Sequence, residues 1–249
     1  MPIKDRKIKL LLLFFLMPEL QDESLEINER LQDIFDISLN QKTRGTLSGL
    51  IKEGSLQKDD SSTDKARYRL TPKGLTILSL EFPFFRFVNE EWDGLWRIIS
   101  YEIPESKREI RDRLRREMRG WGLGPWHRSF WITPHPITHN LKELVYGKEE
   151  ENFIQSFEAT HVFGNMDILV EKVWNKSELE KRYRAMFKTW HDVLSQDITK
   201  DEKMKAILYE YITLLREDPG LPKSLVGRNF ISFEAFDIFK EVKGILSKV

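Results

Sequence analysis

The 249-residue chain contains no cysteine, which removes disulfide frameworks, thiolate metal sites and cysteine nucleophiles together and fits a reducing compartment. It carries no excess of either charge: 40 Lys and Arg stand against 40 Asp and Glu. Nothing therefore draws it indiscriminately to nucleic acid or to anionic membrane, although a locally basic face is still allowed. Long apolar runs are missing as well. Leu10 to Met17 follows Lys4, Arg6, Lys7 and Lys9 in the outline of a short signal peptide. No small-residue cleavage site comes after it, and it falls far short of the ~20 residues a membrane span needs. We expect a buried first helix in a cytoplasmic protein. The motifs GxSxG, GxxxxGK[ST] and HExxH are absent too, so the chain offers no recognisable hydrolase, nucleotide or zinc-protease signature. The composition that remains, 40% hydrophobic and 32% charged, is that of a globular protein with room for one large or two to three small domains.

Three regimes follow one another. In the first, Leu10 to Met17 precedes Leu25, Ile27, Leu31, Ile34 and Phe35 at roughly helical spacing, and then Thr43, Leu47, Leu50 and Ile51 at i, i+4, i+7, i+8. Gly54 stops this third helix. Ser55 to Lys58 and Ala66 to Leu70 read as strands around the polar turn Asp59, Asp60, Ser61, Ser62, Thr63, Asp64. Three helices and a hairpin are the order of a winged helix-turn-helix. After the aromatic connector Phe82 to Phe87, Trp92 to Ile103 reads as a strand and Glu105 to Trp121 as an amphipathic helix closed by Gly122. Phe130 to Thr133 is a further strand, Asn140 to Tyr146 a short helix, and Thr160 to Phe163 and Ile168 to Trp174 two more strands. That order suggests a ferredoxin-like α/β sandwich. The remainder is helical, over Leu179 to Leu194, Glu202 to Leu215 and Phe233 to Leu246, broken by Asp218, Pro219, Gly220, Leu221, Pro222. The expected class is α+β multidomain, with a winged helix over 1–85, a ferredoxin-like central domain over 86–176 and a helical domain over 177–249.

Opposite the apolar side of the third helix stand Gln41, Lys42, Gly45, Ser48, Gly49 and Lys52, with Arg44 at the flank. Such side chains bond base edges and phosphates, and the glycines let a backbone approach closely; a plain solvated helix face is the alternative. Lys65, Arg67, Arg69 and Lys73 in the hairpin suit phosphate contacts, while Asp59, Asp60 and Asp64 turn the tip away from DNA. Arg108, Arg111, Arg115 and Arg119 share one face of the central amphipathic helix, at i, i+3, i+7, i+11. They suit a phosphate- or acyl-CoA-bearing ligand, a dimer interface, or a solvated face balanced by pairs such as Asp112 with Arg116. His135 and His139 are separated by Pro136, which disfavours a metal-binding helix. Glu102 at the end of a strand is a single carboxylate where a two-metal nuclease needs more. No catalytic residue, metal or cofactor is assigned.

The block Trp92, Asp93, Gly94, Leu95, Trp96, Arg97, the continuation Tyr101 to Glu105 with Arg108 to Arg116, the strand Phe130 to Pro134 and the tract Asp218 to Pro222 together resemble the PaaX-like repressors, regulators of phenylacetic acid degradation. Arg44 to Leu56 and Tyr68 to Gly74 look like that family's winged helix. The resemblance implies a homodimeric transcriptional repressor whose central domain is similar to the CRISPR adaptation nuclease fold, and whose DNA an aryl-CoA thioester or other small acidic effector releases. The chain departs from the family at Leu225 to Phe230, so the effector's identity does not carry over, and Glu102 stands where nuclease relatives place Asp. The leading expectation is that Gln41, Lys42, Arg44 and Ser48 enter the major groove of a palindromic operator, with Lys65, Arg67 and Arg69 on phosphates. A metal-dependent nuclease centred on Glu102 and a non-enzymatic protein-interaction module are the alternatives.

Overall fold

The computed structural model describes residues 2–18, 23–59, 65–127 and 129–247. In chain order the elements are α1 (Arg6–Leu16), α2 (Glu29–Ile34), α3 (Gln41–Lys52), β1 (Leu56–Asp59), β2 (Arg67–Leu70), α4 (Pro72–Glu81), α5 (Arg86–Asn89) and β3 (Trp96–Tyr101). Then come α6 (Arg108–Gly120), β4 (Gly124–His127), β5 (Phe130–Thr133), α7 (Thr138–Val145), β6 (Ile154–Ala159), α8 (Met166–Trp174), α9 (Lys176–Ser195), α10 (Lys200–Leu215), α11 (Lys223–Val226) and α12 (Ile231–Ser247). They form two compact units. The first takes Met1–Glu81, Arg184–Leu215 and Ala235–Val249, the second Phe82–Tyr183 and Arg216–Glu234.

In the first unit, Asp5 starts α1 by accepting the N–H groups of Lys7 and Ile8 at 2.7 and 3.3 Å. Leu10, Leu11, Leu12 and Leu13 are then wholly buried. A helix that is apolar all round has to be covered all round, and α3, α4 and β2 pack on it. Each such leucine contributes on the order of 1.5–3 kcal/mol of burial. The second helix is shorter than its hydrophobic spacing predicts. Asn28 is extended and accepts the Leu31 N–H at 2.9 Å, so the helix cannot begin before Glu29. Leu25 instead exchanges both backbone hydrogen bonds with Tyr68, at 2.8 and 2.9 Å, adding a short third strand to the β1–β2 hairpin. In the expected turn, Asp60, Ser61, Ser62, Thr63 and Asp64 lie outside the described residues. In this unit one helix went unread in the sequence: α4, which starts at Pro72 and lies so close on the hairpin that a Cβ at Gly74 would sit 2.2 Å from the Ser55 carbonyl oxygen. The later helices close this unit around Trp190, Tyr211 and Phe239, whose rings meet at 5.1–6.3 Å.

The second unit carries a four-stranded antiparallel sheet ordered β4-β5-β3-β6. With α6 between β3 and β4, and α7 between β5 and β6, the element order is β-α-β-β-α-β, that of a ferredoxin-like sandwich. The expected architecture is present, but two of the expected strands are not. Thr160 to Phe163 forms no regular structure and Ile168 to Trp174 is helical, within α8. The run Ile168, Leu169, Val170 reads as a strand by composition. Asn165 overrides that preference by capping the Ile168 N–H at 3.0 Å, and Val170, Val173 and Trp174 fall on one helical face, with Val170 and Val173 buried. The missing strands are β4 and β6. β6 is disguised because Gln155, Ser156 and Glu158 are exposed and its alternation is weak. The α6 and α7 side of the sheet packs Ile99, Tyr101, Trp131 and Ile154 on Leu114, Met118, Leu141 and Val145. On the other side Trp174 stacks on Trp96 at 6.0 Å.

Among the described residues no helix is long and apolar enough to cross a membrane.

Candidate nucleic-acid interface

α3 is fixed at its start by Asn40, whose carboxamide oxygen accepts the Thr43 N–H at 3.0 Å, and along its inner side by buried Thr43, Leu47 and Leu50. Helical geometry then obliges the other side to face outward. Gln41, Lys42, Arg44, Gly45, Ser48, Gly49 and Lys52 are all exposed. Arg44 donates from Nε to the Leu39 carbonyl at 3.1 Å, which anchors the stem of its guanidinium beside the helix start. Glu53 follows the last residue of α3. The Lys7 ammonium at 2.9 Å and the Ser55 hydroxyl at 2.7 Å hold its carboxyl below the usual range. No carboxylate stands on the outward positions of α3 itself.

Gly45 and Gly49 are one helical turn apart on this outward strip, and a Cβ at either would meet nothing within 4 Å. Glycine inside a helix costs about 1 kcal/mol relative to alanine. Neither the backbone conformation nor the packing of α3 requires it here. What the pair leaves is bare backbone on the exposed helix, beside Gln41, Lys42 and Ser48.

The hairpin cations are placed less simply. Arg69 is exposed and pairs across the strands with Gln57, donating at 2.8 and 3.2 Å. Arg67 turns to the segment before α2 and donates to the Ser24 hydroxyl at 2.9 Å and the Ser24 carbonyl at 2.6 Å. Lys65 lies 3.1 Å from Glu26, and Lys73 donates to the Glu53 carbonyl at 2.6 Å. Lys65 and Arg67 thus brace the third short strand against the hairpin. No local pattern announces this, since Ser24 is 43 residues from Arg67.

On α6, Arg111 reaches Glu105 at 2.6 Å, Arg108 lies 3.5 Å from Asp112, and Arg113 pairs with buried Glu150. Arg115 donates to the Tyr101 hydroxyl at 2.7 Å, and Arg119 lies over the Trp131 ring at 5.8 Å. Among the described residues of α6, Arg116 and Arg119 have no carboxylate partner. Glu102 is exposed at the end of β3. His135 is buried while His139 lies in the open, 3.3 Å from Glu143, so the two histidines do not converge. Among the described residues no group of three His, Cys, Asp or Glu is arranged to hold a metal ion.

Residues 89–168 match the family model described as the PaaX protein central Cas2-like domain, and residues 174–249 the one described as the PaaX-like protein C-terminal domain. No curated protein matches. Among solved structures, the uncharacterized protein Rv0674 from Mycobacterium tuberculosis is similar at 16% identity and a TM-score of 0.48, over 98% of each chain.

Proposed function

Because the chain belongs to the PaaX-like family, we propose that it is a dimeric DNA-binding transcriptional regulator, a repressor without enzymatic activity that a small acidic or acyl-CoA effector releases from its operator. In this reading residues 1–85 are a winged helix-turn-helix. α3 is the recognition helix, and Gln41, Lys42 and Ser48 meet base edges. Arg44 and Arg69 bind phosphate, while Lys65 and Arg67 hold the wing in shape. Residues 86–176 dimerise and 177–249 form the helical partner domain. The exposed apolar side chains Phe130, Phe157, Val162 and Phe163 support dimerisation, because a monomer seldom leaves so many large side chains in water.

The observation that carries the reading is the outward strip of α3: cationic and amide side chains around two glycines that the fold itself does not need. Selection of bound duplexes from a random pool tests it. A palindrome with half-sites about 10 bp apart, or a multiple of that, is expected. Failure to retain any duplex at low salt refutes the assignment. Aryl-CoA titration of the protein–DNA complex then tests effector release.

A further inference from the structure

His135 lies two residues past the β5 end of the central sheet and is 1% exposed. Its Nε2 lies 2.7 Å from the Pro219 carbonyl oxygen. A carbonyl only accepts, so Nε2 carries the ring hydrogen and Nδ1 presents a lone pair. That lone pair is buried and has no hydrogen-bond partner among the described residues. Arg86 on α5 immediately precedes Phe87, whose ring lies on the imidazole, and its charge acts on the imidazole. It is half-buried, its Nε is buried without a partner, and Glu90 acts on it only through space. The neighbouring Arg97 is the contrast. It is saturated by Asp93 at 2.6 and 2.9 Å, Glu158 at 3.2 Å and the carbonyls of Leu95 and Pro134 at 3.1 and 3.3 Å. Phe87 stacks on the imidazole at 4.8 Å.

Buried polar groups are bonded in nearly every folded protein, and two unmet groups of opposite kind in one place define what would satisfy both. The ligand must accept from a guanidinium and share a proton with a ring nitrogen. We propose that Arg86 and His135 form a binding site for a small oxyacid, a carboxylate or phosphate monoester, with one oxygen accepting from the Arg86 guanidinium and a second sharing a proton with His135 Nδ1. A carboxylate beside imidazolium and a carboxylic acid beside imidazole have the same composition, so either way one solvent proton is bound with each anion. The free site does not hold that proton. Burial first, then the charges of Arg86 and Arg97, push His135 down to about 3, against the backbone groups of Pro219 and Gly220, which act to raise it. The other charged groups nearby are Asp93 and Glu158, both committed to Arg97, and Glu90 beside Arg86. Asp218, next to Pro219, is occupied by the Tyr183 hydroxyl and the Gly220 N–H. Arg86 is only half-buried, so solvent reaches one member of the pair.

This names where the acidic effector of the regulator reading would bind, and to that extent rests on it. The assay contains no DNA, so its failure is distinguishable from a failure of operator binding. Calorimetric titration of the full chain with benzoate, and separately with inorganic phosphate, in buffers of different ionisation enthalpy counts the protons taken up. Saturable binding of at least one probe is expected, with one proton per benzoate, one proton per phosphate where the phosphate dianion dominates, and a Kd that weakens about tenfold per pH unit above neutrality. The tighter probe tells carboxylate from phosphate. Arg86→Gln should weaken binding at least about tenfold at an unchanged unfolding midpoint, and Arg86→Lys should restore part of it. In the parent protein the His135 ring nitrogen resonances should move to imidazolium-like or proton-shared values on saturation, a readout that needs no variant. Silence with both probes, binding without proton uptake, or equal binding by Arg86→Gln would overturn the proposal.

Discussion

Replacing Gly45 and Gly49 by alanine should make the protein more stable and worse at binding DNA. Both positions lie inside α3, both are exposed, and a methyl group at either meets nothing within 4 Å, so the substitution adds helix propensity without strain. Each should contribute about 1 kcal/mol, and for a chain of this size that raises the unfolding midpoint by about 2–4 °C per site. The pair is one turn apart with no shared partner in the fold, so the gains should nearly add. On DNA the sign reverses, because each methyl stands on bare helix backbone that a sugar-phosphate chain or base edge has to approach. Loss of about 1–3 kcal/mol of binding, roughly five- to 150-fold in Kd, is expected for the double variant, on the scale of one good base contact. Scanning calorimetry and fluorescence anisotropy on the selected operator give the two numbers. A variant that is stabilised yet binds DNA as tightly as the parent removes this strip from the interface. One that is destabilised shows that the strip is covered.

Arg44→Ala should lower the slope of log K against log salt by about one, because its guanidinium is assigned to a phosphate, whereas Arg67→Ala should act mainly by loosening the Ser24 segment, lowering stability at a nearly unchanged slope. Salt titrations of both variants, with melting curves, separate the roles. Gly220 has φ +64°, and a Cβ there would sit 2.3–2.5 Å from the backbone of Pro83 and Phe84; Gly220→Ala should therefore cost about 3 kcal/mol or more, from strain and overpacking together, measurable by urea denaturation. Burial raises Asp218 to about 6, above its value in the unfolded chain. Its contribution is thus fully present below about pH 3.8 and is lost as pH rises through 6, on the order of 3 kcal/mol. His135, held at about 3, works the other way, with stability present above about pH 6.5 and lost as acid approaches 3. Denaturation of Asp218→Asn from pH 4 to 7 should show the variant gaining on the parent as pH rises; parallel curves would refute the buried carboxylate's role.

Much of this was legible along the chain, for reasons that can be stated. α1 and α3 announce themselves because their apolar periodicity and caps are local, and the outward side of α3 follows from its inward side by geometry alone. β6 and α8 were misread because the deciding information is not local. β6 is an edge strand whose Gln155, Ser156 and Glu158 face water, so its pattern fades. α8 has strand-like composition and becomes a helix through one cap and its packing. In the candidate interface, residue types were readable while their commitments were not. Lys65 and Arg67 look like free cations until Glu26 and Ser24, distant in sequence, take them up. The unmet pair Arg86 and His135 had no signal in the sequence, since an empty valence is visible only once every neighbour is placed.

The leucines of α1 lie in a unit assembled from both ends of the chain, with Phe15 stacked on Phe236 at 6.1 Å and the Lys243 ammonium capping the Leu16 carbonyl at 3.0 Å. A ribosome delivers those two partners more than two hundred residues after the leucines have left the exit tunnel. During that interval α1 can gather α3, α4 and β2 but lacks its α12 partners, which leaves Phe15 without its native cover, at a synthesis rate of roughly 5–20 residues per second. The nascent polypeptide is therefore a natural client for holdase chaperones, and a product cut short before α12 should be cleared by proteases or precipitate, leaving no half-working fragment behind.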